Sequence, residues 1–103
     1  MKFEIAPKST EIQANWYDAK MYCFLLDVNG KTGWRLPSHE ELTKIYESAN
    51  DCEKDWYWSP TETRVLSVPN LYGAWTLDFI NGDPFSGNKN FDANFVRAVR
   101  DLS

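Results

Sequence analysis

The sequence predicts an α+β domain, and three observations carry that prediction. An alternating stretch near the N-terminus reads as a strand, two helical patterns follow, and the second half is a run of aromatic and β-branched segments parted by Gly, Pro, Asn and Asp. At 103 residues the chain has room for one domain, 1–103, with one core. A hydrophobic share of 43% and an aromatic share of 16% give it enough apolar surface to fold compactly, more than a disordered chain carries.

Each element has a local reason. In "KFEIA", Lys2 and Glu4 alternate with Phe3 and Ile5, the period of a half-buried strand, and Pro7 ends it. Asn15 can cap a helix from Trp16 to about Asp27, in which Trp16, Ala19, Cys23 and Leu26 share one face. "VNGKTG" then supplies a stop made of turn residues. Gly33 releases the chain into a short extended segment, Trp34 to Leu36, and Pro37 biases Leu36 away from helical geometry. Ser38 caps the next helix, and Ser38 with Glu41 has capping-box spacing. Leu42, Ile45, Tyr46 and Ala49 form the buried stripe of that helix. Beyond Asn50 come strands and long loops. In "AWTLDF" the alternation points Trp75, Leu77 and Phe79 to a core, and Ala74, Thr76 and Asp78 to a wetter side.

Composition removes several function classes. A net charge of −4 disfavours binding to a phosphate backbone, so no nucleic-acid partner is expected. The longest mainly apolar stretch, Met21 to Val28, is interrupted by Cys23 and Asp27 and falls well short of the ~20 residues of a membrane span. "MKFEIAPKSTEIQ" does not read as a secretion signal, which points to a cytoplasmic protein. Cys23 and Cys52 could form one disulfide, but two free thiols suit that compartment better.

The chemistry-bearing residues do not assemble into a reaction centre. The single histidine, His39, stands in the first turn of a helix beside Glu40 and Glu41, and nothing places it near a cysteine. Asp78, Asn81, Asp83, Asn88, Asn90 and Asp92 are oxygen donors of the kind calcium takes, yet Lys89 sits among them and Asn-Gly-Asp is ordinary turn chemistry. Two separated cysteines and one histidine are no zinc set, and no phosphate-binding glycine loop occurs. Arg97 and Arg100, three apart on a strand, face opposite ways, each toward a carboxylate of its own. No enzyme activity, cofactor or metal is expected.

The ordered set "NWYDAKMYC", "GWRLPSHEEL", "WYWSPTE", "AWTLDFINGD" and "FVRAVR" resembles the Lcl C-terminal domain family, from about Ile12 to Arg100. The resemblance implies a C-type-lectin-like fold related to formylglycine-generating enzyme. Such a fold pairs its first and last strands and packs two helices on a small twisted, mainly antiparallel sheet with long loops on one side. It also implies that Trp34, Leu36 and Pro37 lock the strand-to-helix turn while Arg35 satisfies an internal carboxylate or carbonyl. Exported members often carry a cysteine in the last strand that meets the cysteine of the first helix. Here that strand reads Val96-Arg97-Ala98-Val99-Arg100, which leaves Cys23 without this partner and supports a reduced protein. The signatures of calcium-dependent sugar binding and the cysteine pair of the related enzymes are missing.

What remains is recognition by loops held on a rigid base. The stretches Thr63 to Gly73 and Asn81 to Asp92 read as those loops, with Arg64, Asn70, Leu71, Tyr72, Phe85, Asn88, Lys89, Asn90 and Phe91 as the binding residues. Leu71, Tyr72, Phe85 and Phe91 either anchor a partner or fold back over the sheet. The expected function is a non-enzymatic module that binds a protein partner, such as a small phage-encoded or bacterial inhibitor or adaptor. A carbohydrate- or polyanion-binding, adhesin-like domain is the alternative, and a homo-oligomer closed by the same aromatics is a further reading.

Overall fold

The computed structural model describes residues 2–102. Met1 and Ser103, the two ends of the expected domain, lie outside the described residues. The elements run β1 (Phe3–Ile5), a 3-10 turn (Lys8–Thr10), β2 (Ile12–Ala14), α1 (Trp16–Leu25), β3 (Trp34–Arg35) and α2 (His39–Ser48). Then come β4 (Trp56–Val65), β5 (Val68–Asp78), β6 (Pro84–Asn88), β7 (Asn94–Val96) and β8 (Val99–Asp101). This is the expected α+β class, and β1 pairs antiparallel with β8 as expected.

The strands form two sheets rather than one, in the orders β1-β8-β3 and β2-β7-β4-β5-β6. The change of sheet falls inside "VRAVR", which had read as a single strand. After Val96 the Arg97 guanidinium turns inward and its Nε donates to the Ala6 carbonyl at 2.8 Å, while the Ala6 N–H donates to the Ala98 carbonyl at 2.9 Å. Arg97 also bonds Glu11 at 3.1 Å and Asp51 at 2.9 Å, and the Tyr57 hydroxyl donates to Glu11 at 2.9 Å. A buried guanidinium is tolerated because its donors are met in this way. Arg100 pairs separately with Glu4. The expectation of two independent ion pairs therefore holds.

Both helices start where the sequence places them. Asn15 Oδ1 accepts from the Asp18 N–H at 2.9 Å, and α1 buries Trp16, Ala19 and Cys23. The helix ends at Leu25, short of Asp27, because Leu26 is already extended (φ −67, ψ 132). Asp27 Oδ1 takes the Gly30 N–H, and Asn29 and Gly30 both adopt positive φ, which a tight turn between Val28 and Lys31 requires. For α2 the full capping box forms. The Glu41 N–H donates to Ser38 Oγ at 3.2 Å and the Ser38 N–H to Glu41 Oε1 at 2.8 Å. Arg35 donates to both Glu41 oxygens at 2.7 and 2.8 Å and to Asp101 at 2.7 Å, so it ties this helix start to the last strand.

The larger sheet is covered on both faces. Adjacent residues of a strand point opposite ways, so Trp58 joins Ala74, Val96 and the inner face of α1, while Tyr57 joins Leu77 and the Leu42–Ile45 stripe of α2. This corrects the wetter side expected of β5: Ala74 and Thr76 are fully buried beneath the α1 cluster. Trp75, expected in the core, is 37% exposed, because the α2 cluster takes in Leu77 and Phe79 and stops short of it. Both cysteines are free thiols, with Cys23 in the α1 cluster, to which Ala98 also belongs, and Cys52 packed on the α2 cluster. Burial pushes the Cys23 thiol up to about 12 and raises that of Cys52. Among the described residues no helix is long and apolar enough to cross a membrane.

Candidate functional site

β4 and β5 make a long hairpin whose inner half belongs to the sheet and whose outer half leaves it. β7 pairs with β4 only at Tyr57, and β6 reaches along β5 only to Gly73. The outer part is therefore a two-stranded ribbon, and Thr63 to Gly73, which had read as a loop, is strand on both sides of a Leu66–Ser67 turn. Val65 and Val68 favour that geometry, and Leu66 takes the positive φ of the turn. Asn81 to Asp92 likewise contains β6 rather than loop alone.

A two-stranded ribbon is only marginally stable alone, so something must hold this one. The holder is Lys89. Its Nζ donates to Glu62 Oε2 at 2.6 Å and to the Asn70 carbonyl at 2.8 Å, and it lies 4.6 Å above the Trp16 ring centroid. Its N–H donates to the Tyr72 carbonyl at 2.8 Å, and its carbonyl accepts from the Trp16 N–H at 3.1 Å. The bond from Lys89 keeps the Glu62 carboxyl below the usual carboxylate range. The sequence puts Lys89 among the binding residues, but it is 1% exposed and latches β4, β5 and α1 together. Asn70 joins the latch, with its Oδ1 accepting from the Tyr72 N–H at 2.9 Å and its Nδ2 donating to Thr63 at 3.3 Å.

The other expected residues fall into three places. Arg64, Leu71 and Tyr72 lie on the ribbon, where Leu71 is 72% and Tyr72 65% exposed and Arg64 donates to the Ser67 carbonyl at 3.1 Å. Asn88, Asn90 and Phe91 form the turn that leads on to β7. Asn88 Oδ1 accepts from the Asn90 and Phe91 N–H groups and Asp92 Oδ2 from the Asn88 N–H, while Phe91 stands open to solvent. Phe85 lies apart on β6, half-exposed and stacked on Trp56 at 4.7 Å. Leu71, Tyr72 and Phe91 thus face solvent, whereas Phe85 lies over the sheet against Trp56 of β4 and is only half-exposed.

Two side chains of "DFINGD" are also engaged in turns. Asp78 Oδ1 accepts from the Ile80 N–H at 2.8 Å and Asn81 Oδ1 from the Asp83 N–H at 3.1 Å. His39 is exposed at the start of α2.

Sequence reasoning missed the tip. Val65, Leu66 and Val68 are all more than half exposed, and from Arg64 to Tyr72 the only charged side chain is Arg64. The signal was present in "VLSV", four residues with no charge at a turn. The outer face of α1 is a second such patch, where Tyr17, Met21, Phe24 and Leu25 are exposed opposite the buried stripe. That second apolar face is readable from helical spacing alone.

Among curated proteins none matches the chain. The family model of the Lcl C-terminal domain matches residues 4–100, from within β1 to within β8, with the latched hairpin and both capped helices between. The chain belongs to the Lcl C-terminal domain family.

Proposed function

We propose that this domain is a non-enzymatic module that binds a protein partner through the outer half of the β4–β5 hairpin. The observation that carries the reading is an exposed, nearly uncharged tip, Val65, Leu66, Val68, Leu71 and Tyr72 with Arg64, on a ribbon fixed at its base by Lys89. Leucine 96% exposed at a turn, as Leu66 is, costs solubility and contributes nothing to the fold. Aromatic and apolar anchors with one arginine are the composition of an interface centre. Because the latch fixes the ribbon beforehand, little ordering entropy is lost when a partner docks. A cytoplasmic inhibitor or adaptor of bacterial or phage origin fits this reading.

The test is affinity capture from the native host's lysate with wild type and with a Leu66→Ser, Leu71→Ser, Tyr72→Ser variant. All three side chains are exposed, so the variant keeps its fold. One protein held in stoichiometric amount by wild type and lost by the variant supports the reading; equal recovery by both removes the hairpin from it. A second reading, a carbohydrate-binding domain in keeping with a C-type-lectin-like relation, is favoured by one observation, the half-exposed Trp56–Phe85 stack. A glycan array with wild type and Phe85→Ala tests it.

A further inference from the structure

The outer face of α1 has no cover in this chain. Tyr17, Met21 and Phe24 follow one another at i, i+4 and i+7, and Phe24 is 76% exposed. With Trp16, Ala19 and Cys23 buried on the other side, α1 is apolar nearly all round, the pattern of a helix with something packed on both faces. Beside the outer stripe runs a groove of about 580 Å³, whose far wall is Trp34, Leu36 and Pro60. That volume is in the range of small-molecule sites, about 300 to 1,000 Å³.

Two residues with polar ends, Tyr17 and Lys20, line this apolar groove on its α1 side. Among the described residues, Lys20 makes no ion pair, its Nζ resting 4.3 Å from the Trp16 ring centroid, and the Tyr17 hydroxyl makes no hydrogen bond. Tyr17 and Lys20 are three apart on the helix and hence neighbours on its surface. Arg35, the other cation in the wall, is neutralised by Glu41 and Asp101. Glu62 feels the charge of Lys20 but is bonded to Lys89. The groove therefore offers one cation without a direct ion pair and one hydroxyl without a hydrogen bond at the edge of an apolar trough. A neutral or cationic guest lying there would shield Lys20 from water without pairing it, which costs free energy. A single carboxylate would pair it.

We propose that the groove between α1 and the Trp34–Leu36 segment binds a small amphiphile with an apolar chain or ring and one carboxylate. The apolar body lies against Met21, Phe24, Trp34 and Leu36, and the carboxylate accepts from Lys20 and the Tyr17 hydroxyl. The groove takes only Pro60 from the hairpin, and none of the exposed tip residues Val65, Leu66, Val68, Leu71 and Tyr72 lines it.

Decanoate, decanol and decylamine, each below its aggregation concentration, are titrated into the full chain and followed by amide and side-chain NMR shifts. The expected result is saturable one-site binding of decanoate, with shifts centred on Tyr17, Lys20, Phe24 and Trp34. Decanol should bind about tenfold more weakly, and Lys20→Met should lose about tenfold for decanoate while leaving decanol unchanged. Phe24→Glu, at an exposed position that does not support the fold, should abolish binding of both. The proposal is overturned if decanoate fails to saturate, if its shifts centre elsewhere, if decylamine binds as well as decanoate, or if Lys20→Met binds decanoate like wild type.

Discussion

Glu41 shows how much a single side chain can join. One oxygen closes the capping box on Ser38, both oxygens take the Arg35 guanidinium, and through Arg35 the start of α2 is bound to Asp101 in the last strand. The bond from Arg35 holds the Glu41 carboxyl below the usual range, against the opposing effect of its own burial. A carboxyl depressed in the folded state adds stability above its unfolded value of about 4.3, and that stability is lost as pH falls through the folded value. Glu41→Gln keeps the acceptor for Ser38 but removes the charge, so it should cost about 1.5–3 kcal/mol at neutral pH. The gap between variant and wild type should then narrow as pH drops below about 4. Urea unfolding at stepped pH measures this, and a gap that stays constant into the acid range would show that the charge is not what Glu41 contributes.

Among the elements, those with local chemistry were legible in the sequence and those set by tertiary pairing were not. Asn15, Ser38 and Glu41 announce the helix starts because capping needs only the side chain and the next three residues. The split of "VRAVR" between two sheets was not legible, since it depends on Arg97 finding Ala6, Glu11 and Asp51, each more than 40 residues away in sequence. The outer hairpin was misread for the same reason. Its strands are bulged, with register shifts between Trp58 and Arg64, and its base is held by Lys89 from beyond β6. Lys89 looked like a surface residue because its partners, Glu62, Asn70 and Trp16, are scattered along the chain. If the latch fixes the ribbon, Lys89→Met should cost about 1.5–3 kcal/mol. It should also speed amide exchange in the outer hairpin well beyond the change at the β1–β8 pairing. Uniform acceleration of both regions would mean that Lys89 supports only global stability.

At the scale of the whole molecule, two helices cover the two faces of one sheet, and the second sheet closes the chain by pairing its first and last strands. The polar handles of the buried tryptophans are met, with Trp16, Trp34 and Trp58 each donating to a backbone carbonyl. With a core cluster on each face of the sheet, most of the large apolar side chains that remain outside stand on the hairpin tip and the outer face of α1. The free edge of β6 is a poor template for a further strand. Lys89 and Asp83 pair across to β5, so the alternate residues Pro84, Ser86 and Asn88 face outward. Pro84 has no N–H, and that of Asn88 is taken by Asp92. The proposed recognition therefore relies on side chains of the hairpin and not on a strand added to this edge. The measurement that tests it most directly is an amide-exchange footprint of the domain with the protein it captures. The account predicts protection of residues 62–72 and 89–91 with α1 and β6 unchanged; protection confined to β6 or α1, with the hairpin still exchanging freely, would contradict it.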